Sequence, residues 1–164
     1  SVRMSFGNGA VQTLEHTPAV AEPPGTVPLQ PAHMRGVLDP LSAVLALSRP
    51  RGDKPCNQQV PIFDGKARFD VSLSFKEQAP MVGAQGGETL HVCRVRILPI
   101  AGHREEDAVQ LRRMTGIEIA FRSIPNAKLF VPHRITVPTF AGSITLGAHS
   151  IHIRTHNEQI ALVN

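Results

Sequence analysis

The stretch Gly36-Val37-Leu38-Asp39-Pro40-Leu41-Ser42-Ala43-Val44-Leu45-Ala46-Leu47 decides how this chain is read. Asp39 can cap a first helical turn, because its carboxylate accepts a backbone N–H that has no partner inside the helix. Pro40 falls at the first helical position, where a missing N–H costs nothing. From Leu41 to Leu47 only Ser42 is polar, so the helix is apolar nearly all round and is expected to be buried on more than one side. It is far too short to span a bilayer. A buried helix in a chain otherwise patterned as strands points to a curved sheet wrapped around a helical plug. Leu41, Val44, Leu45 and Leu47 then form either the floor of an apolar groove or part of the core.

Downstream, the strand pattern is strongest at 58–76. Residues 58–63 read as a strand, Asp64-Gly65 as a turn and 66–76 as the partner. There Phe69, Val71, Leu73 and Phe75 alternate with polar neighbours, the period of a strand with one buried and one wet face. Pro61 marks the first of these strands as an edge or a bulge. A glycine-rich loop is expected over 77–87; it lacks the Lys-Ser/Thr of a phosphate loop. Strands follow at 89–98, 117–123, 128–137, interrupted by Pro132, and 143–154, with a bulge near Gly147. A second, short helix is expected at 105–114, ended by Gly116. Upstream, Asn8-Gly9 joins strands 2–6 and 10–16 in a hairpin, and five prolines between Pro18 and Pro31 mark an extended linker. These eight strands, mostly joined by short loops, predict a mainly β, antiparallel open barrel or spiral-like sheet around one buried helix. One domain is expected over 1–155, with a tail from 156 to 164.

The bulk composition narrows the function. Of the 164 residues, 41% are hydrophobic and 18% charged, which argues for a packed core and against disorder. The net charge of +4 is scattered, and Trp and Tyr are absent, so the stacking aromatics of a nucleic-acid-binding sheet are missing. No apolar run is long enough for a transmembrane segment. The chain starts at Ser1, directly in a strand, and reads as a processed or truncated product. Its two cysteines, Cys56 and Cys93, belong to no C-x-x-C pair; they read equally as two buried thiols or as one disulfide.

Three places hold candidate chemistry. His103-Arg104 precedes Glu105, Glu106 and Asp107, so an imidazole able to do acid–base work stands beside carboxylates. No nucleophile motif accompanies it, and charges at a helix start are ordinary helix-end electrostatics. His149, His152 and His156 would share a helical face, but the surrounding Ile144, Leu146, Ile151 and Ile153 pattern a strand. On a strand only His152 and His156 align, which makes a poor metal site. Asp39 and Asp64 are explained by capping and turning. No cofactor and no metal are expected.

Several stretches, taken in order, resemble a known family. They are Arg35-Gly36-Val37-Leu38-Asp39-Pro40-Leu41-Ser42-Ala43, Cys56-Asn57, Pro61-Ile62-Phe63-Asp64-Gly65-Lys66 continuing through Ala67 to Lys76, Val92-Cys93, and Pro99-Ile100-Ala101-Gly102-His103-Arg104. The set resembles an exported protein family of Gram-negative bacteria, the domain of unknown function numbered 3108, over most of the chain up to about Ile151. The resemblance implies a precursor with a signal peptide and further strands before the hairpin, so that this chain is a C-terminal portion. It implies a periplasmic location, which favours a Cys56–Cys93 disulfide. It is similar in character to envelope proteins with spiral or open β-barrels, including lipoprotein carriers, and supplies no catalytic residues. The expectation is therefore a non-enzymatic periplasmic envelope protein with a lipid or envelope protein as partner. Its sharper form carries a lipid or acyl chain in a concave apolar groove. The alternatives are a hydrolase centred on His103 and a metal-binding module at His152 and His156.

Overall fold

The topology follows from the turns. In the computed structural model, which describes residues 1–16, 22–50, 52, 54–81, 88–124, 126, 128–154 and 159–163, Asn8 and Gly9 both adopt positive φ, 52° and 70°. That is the geometry of a two-residue hairpin loop, and it joins β1 (Val2–Gly7) to β2 (Ala10–His16). Asp64 makes the next tight turn. Its Oδ1 accepts the Lys66 and Ala67 N–H groups at 2.8 and 2.7 Å, a local bond that mimics a backbone turn. It links β3 (Asn57–Phe63) to β4 (Arg68–Pro80). With β5 (Thr89–Ala101), β6 (Glu118–Ile124), β7 (Leu129–Thr139) and β8 (Gly142–Gly147), these strands form one antiparallel meander of six, in chain order. β9 (Ser150–Arg154) and β10 (Gln159–Val163) pair only with each other in the sheet order.

The sheet is open, with β3 and β8 at its edges. The helix α1 (Pro40–Ser48) packs against both β3 and β7. These strands are not neighbours, so one short helix can reach both only if the sheet curls around it. Ala43 and Leu47 of α1 meet Ile62 of β3, Leu73 of β4, Cys93 of β5, Phe121 of β6 and Phe130 of β7 in one core. The mainly β open architecture expected from the sequence is thus present, and the helix is its plug. The helix is not buried on several sides, however. Leu41 and Leu45 are 79% and 69% exposed, and Val44 is also exposed. The reason is that the sheet is open: α1 has β3 and β7 on its inner side, and nothing among the described residues covers Leu41, Val44 and Leu45 on its outer side.

The described segment between the hairpin and α1, residues 22–39, is fastened at two points. At one, the Gly36 N–H donates to the Gly9 carbonyl. At the other, the Val27 N–H donates to the His103 carbonyl at 2.9 Å, and the Gly102 N–H to the Val27 carbonyl at 2.8 Å. The edge strand β3 is covered in part by Leu38, whose N–H donates to the Pro61 carbonyl while its own carbonyl accepts the Phe63 N–H, both at 2.9 Å. Pro61 therefore does sit on an edge strand, as its missing N–H requires. The β1–β2 hairpin rests on the β3–β4 turn: a Cβ at Gly65 would lie 2.5 Å from Val2 Cγ1.

Several expected boundaries change. β4 runs on to Pro80, so the loop after Lys76 starts later; residues 82–87 lie outside the described residues. β7 passes through Pro132, which pairs with Phe121, and absorbs His133 as an extra residue before Arg134 pairs with Ala120. The long strand expected over 143–154 is broken into β8 and β9. The β7–β8 ladder ends at Arg134 opposite Gly147, just before β7 reaches this bulge and Pro132, which has no N–H to offer. The expected tail contains β10, with Gln159 opposite Arg154 and Val163 opposite Ser150. The second helix forms as α2 (Glu105–Arg113) and packs on β5.

Candidate functional site

Cys56 and Cys93 form a disulfide, with their Cα atoms 5.2 Å apart. It ties the loop before β3 to the middle of β5, inside the concave face. Gln58 fixes the same loop to the end of α1, its Nε2 donating to the carbonyls of Pro55 at 2.8 Å and Leu47 at 3.2 Å. Pro55 and Cys93 are fully buried.

The four helix residues proposed for an apolar groove do not share a surface. Leu47 belongs to the core, while Leu41, Val44 and Leu45 point out of the opening. The cavity of about 480 Å³ beside the helix has a mixed wall, with Leu38, Ala46, Val60 and Pro61 facing Arg49 and the polar 57–59 stretch of β3. A more apolar space opens elsewhere. Beyond the disulfide, at the other end of the concave face, a cavity of about 470 Å³ is bounded by Pro55, Cys56, Phe75 and His91, with Lys54 and Gln78 at its polar margin. Phe75 lies opposite Cys93 in the β4–β5 ladder, yet it is 56% exposed. His91 is held edge-on against Phe130, with ring centroids 5.3 Å apart. The alternation in 66–76 identified Phe75 as inward-facing, but only the placement of the neighbouring strands shows that its ring is left open.

His103 and Arg104 part company. Arg104 turns outward to pair with Glu106. His103 turns inward at a junction of three segments: the linker near Thr26, the 64–67 turn, and the turn before α2. Its ring stands 6.2 Å from Phe69, and its Nε2 is buried with no hydrogen-bond partner. Burial depresses its pKa below the usual histidine value, against the opposing pull of the Asp64 and Asp107 carboxylates. A cavity of about 250 Å³ at this junction is lined by Asp64, Lys66, His103, Arg104 and Asp107. The one hydroxyl among its lining residues is that of Thr26, and it donates to the Pro23 carbonyl at 2.7 Å. The arrangement fits a packed junction better than a poised nucleophile and base.

No protein-family model, characterised protein or solved structure matches the chain. The resemblance to the exported family thus rests on the quoted residues alone. Among the described residues no group of three His, Cys, Asp or Glu side chains could hold a metal ion, and no helix is long and apolar enough to cross a membrane. His152 lies on β9 opposite Ala161; His156 lies outside the described residues, and so does any pairing of the two.

Proposed function

We propose that this chain is a non-catalytic, exported module of the bacterial cell envelope, working in the periplasm as a binder of a hydrophobic component. The observation that carries the reading is the disulfide-braced apolar cavity. A disulfide inside the core belongs in an oxidising compartment. A preformed apolar concavity of a few hundred Å³ with few polar groups is the usual form of a small-ligand site. Phe75 stands open in that cavity, where a satisfied core would cover it. The ligand class this supports is a lipid or acyl chain, held beyond the disulfide and not against α1. The exposed Leu41, Val44 and Leu45 face supports contact with an envelope protein as a second role, because contiguous apolar surface of this kind marks interaction sites.

Uptake of the fluorescent apolar probe N-phenyl-1-naphthylamine tests the reading. The oxidised chain should enhance probe emission saturably, and Phe75→Ser should abolish most of that enhancement while leaving the fold's circular dichroism unchanged. Absence of saturable uptake by the oxidised wild-type chain, together with no co-purifying hydrophobic mass in native mass spectrometry, would refute it.

A further inference from the structure

The two edges of the six-stranded sheet are treated differently. β3 has Pro61 and is bridged by Leu38. β8, Gly142-Ser143-Ile144-Thr145-Leu146-Gly147, has no proline, no charge and no bulge, and every one of its residues is exposed. Edge strands that must stay single normally carry at least one of these protections.

Ladder geometry tells which backbone groups face outward. The Ala148 N–H donates to the His133 carbonyl at 2.8 Å. Hydrogen-bonded positions alternate along an antiparallel ladder, so Gly142, Ile144 and Leu146 turn their backbone polar groups toward β7. Ser143, Thr145 and Gly147 then turn theirs to the open edge. Ile144 and Leu146 lie opposite Val137 and Ile135, and Ile135 packs against the core. They therefore share the concave face, where they remain 56% and 62% exposed.

We propose that β8 is a homodimer interface, in which two copies pair antiparallel through this edge about a twofold axis at Thr145. In that register Thr145 faces Thr145 of the second copy, and the two exchange N–H···O=C bonds. Ser143 faces Gly147 of the second copy, and the reverse. Ile144 meets Leu146 of the other copy twice, on the concave face. A twofold contact requires a self-complementary patch, and this register provides one: apolar opposite apolar, hydroxyl opposite hydroxyl, and no like charges. A slip of two residues either way drops one of the hydrogen-bonded pairs, so the register at Thr145 is preferred. The result is a continuous sheet with β3 at both ends, where Leu38 and Pro61 protect it.

Substitution at Thr145 gives a test with its own control. Its side chain is exposed and its N–H points away from β7, so the monomer fold does not depend on it; circular dichroism and melting checks confirm this for each variant. Sedimentation of the full chain should show a concentration-dependent dimer. Thr145→Lys and Thr145→Glu each place like charges directly opposite, and each should weaken the dimer roughly tenfold or more. An equimolar mixture of the two should restore it. A wild-type chain that stays monomeric at millimolar concentration overturns the proposal. So do variants that dimerise as well as wild type, or a mixture that stays monomeric.

Discussion

Gly102 lies against the Lys66 carbonyl so closely that a Cβ built on Gly102 would be 2.1 Å from that oxygen and 2.8 Å from the Ala67 Cα. Its φ is +78°, so the position excludes side chains on two independent grounds. The contact fixes the end of β5 on the β3–β4 turn and holds His103 at the junction. Gly102→Ala should therefore destabilise by about 3 kcal/mol or more, combining left-handed strain with a backbone clash. Urea unfolding measures it; a loss below about 1 kcal/mol would show that the two turns separate freely.

The disulfide should contribute through the unfolded chain. For a sequence separation of 37, the chain-entropy relation gives about 3–4 kcal/mol. A Cys56→Ala, Cys93→Ala double variant should lose stability of that order and also lose probe uptake, because the Pro55–Cys56 wall of the cavity is released. Undiminished uptake by a folded double variant would mean that the bridge does not shape the site.

Asp39 caps α1 through Oδ1, which accepts the Leu41 and Ser42 N–H groups, each at 3.0 Å. Asp39→Ala should cost about 1 kcal/mol. Hydrogen bonding from the Ser42 side chain, then from backbone N–H groups, lowers the Asp39 pKa below the ordinary carboxylate value. A carboxylate held lower in the fold than in the unfolded chain stabilises above the unfolded value, and this is lost as pH falls through the folded one. The cost of Asp39→Ala should therefore be constant near neutrality and shrink below about pH 4, as read from melting temperatures across that range.

His103 and His133 should set the behaviour at mildly acid pH. Burial lowers both pKa values below 6.5, with Asp64 and Asp107 opposing at His103, and Arg122 and Arg134 assisting at His133. As pH falls through 6.5 the unfolded chain takes up these protons first, so stability declines until the folded values are reached. The chain should thus melt at lower temperature at pH 5.5 than at pH 7.5. A His103→Gln, His133→Gln double variant should show most of that difference removed. An equal pH dependence in wild type and variant would exclude these rings as its source.

Local chemistry was readable wherever one residue type has few alternatives. Asn8-Gly9, Asp64-Gly65, the Asp39-Pro40 cap and the alternation in 66–76 each settle a turn or an element without reference to the rest of the chain. The single strand expected between residues 143 and 154 divides in two, because continuity there depends on its partner: Pro132 and His133 of β7 end the ladder from the other side. Phe75 and Leu47 look equivalent by pattern, both apolar and inward. One is open and the other buried, since coverage is set by which distant segments arrive opposite them.

The sequence by itself determined the mainly β architecture, the capped helix and the positions of the tight turns, because backbone sterics, capping and side-chain periodicity act over a few residues. Tertiary structure decided the rest. It joined Cys56 to Cys93, which sequence alone left as thiols or disulfide, because that depends on two Cα atoms meeting across the curved sheet. It turned the His103 ring inward, with Nε2 buried, and exposed Arg104, placed the more apolar open space beyond the disulfide and not on the α1 surface, and left β8 as the unprotected edge. Each of these is a fact about which surfaces remain after the sheet has curled around its plug, and no local pattern contains it.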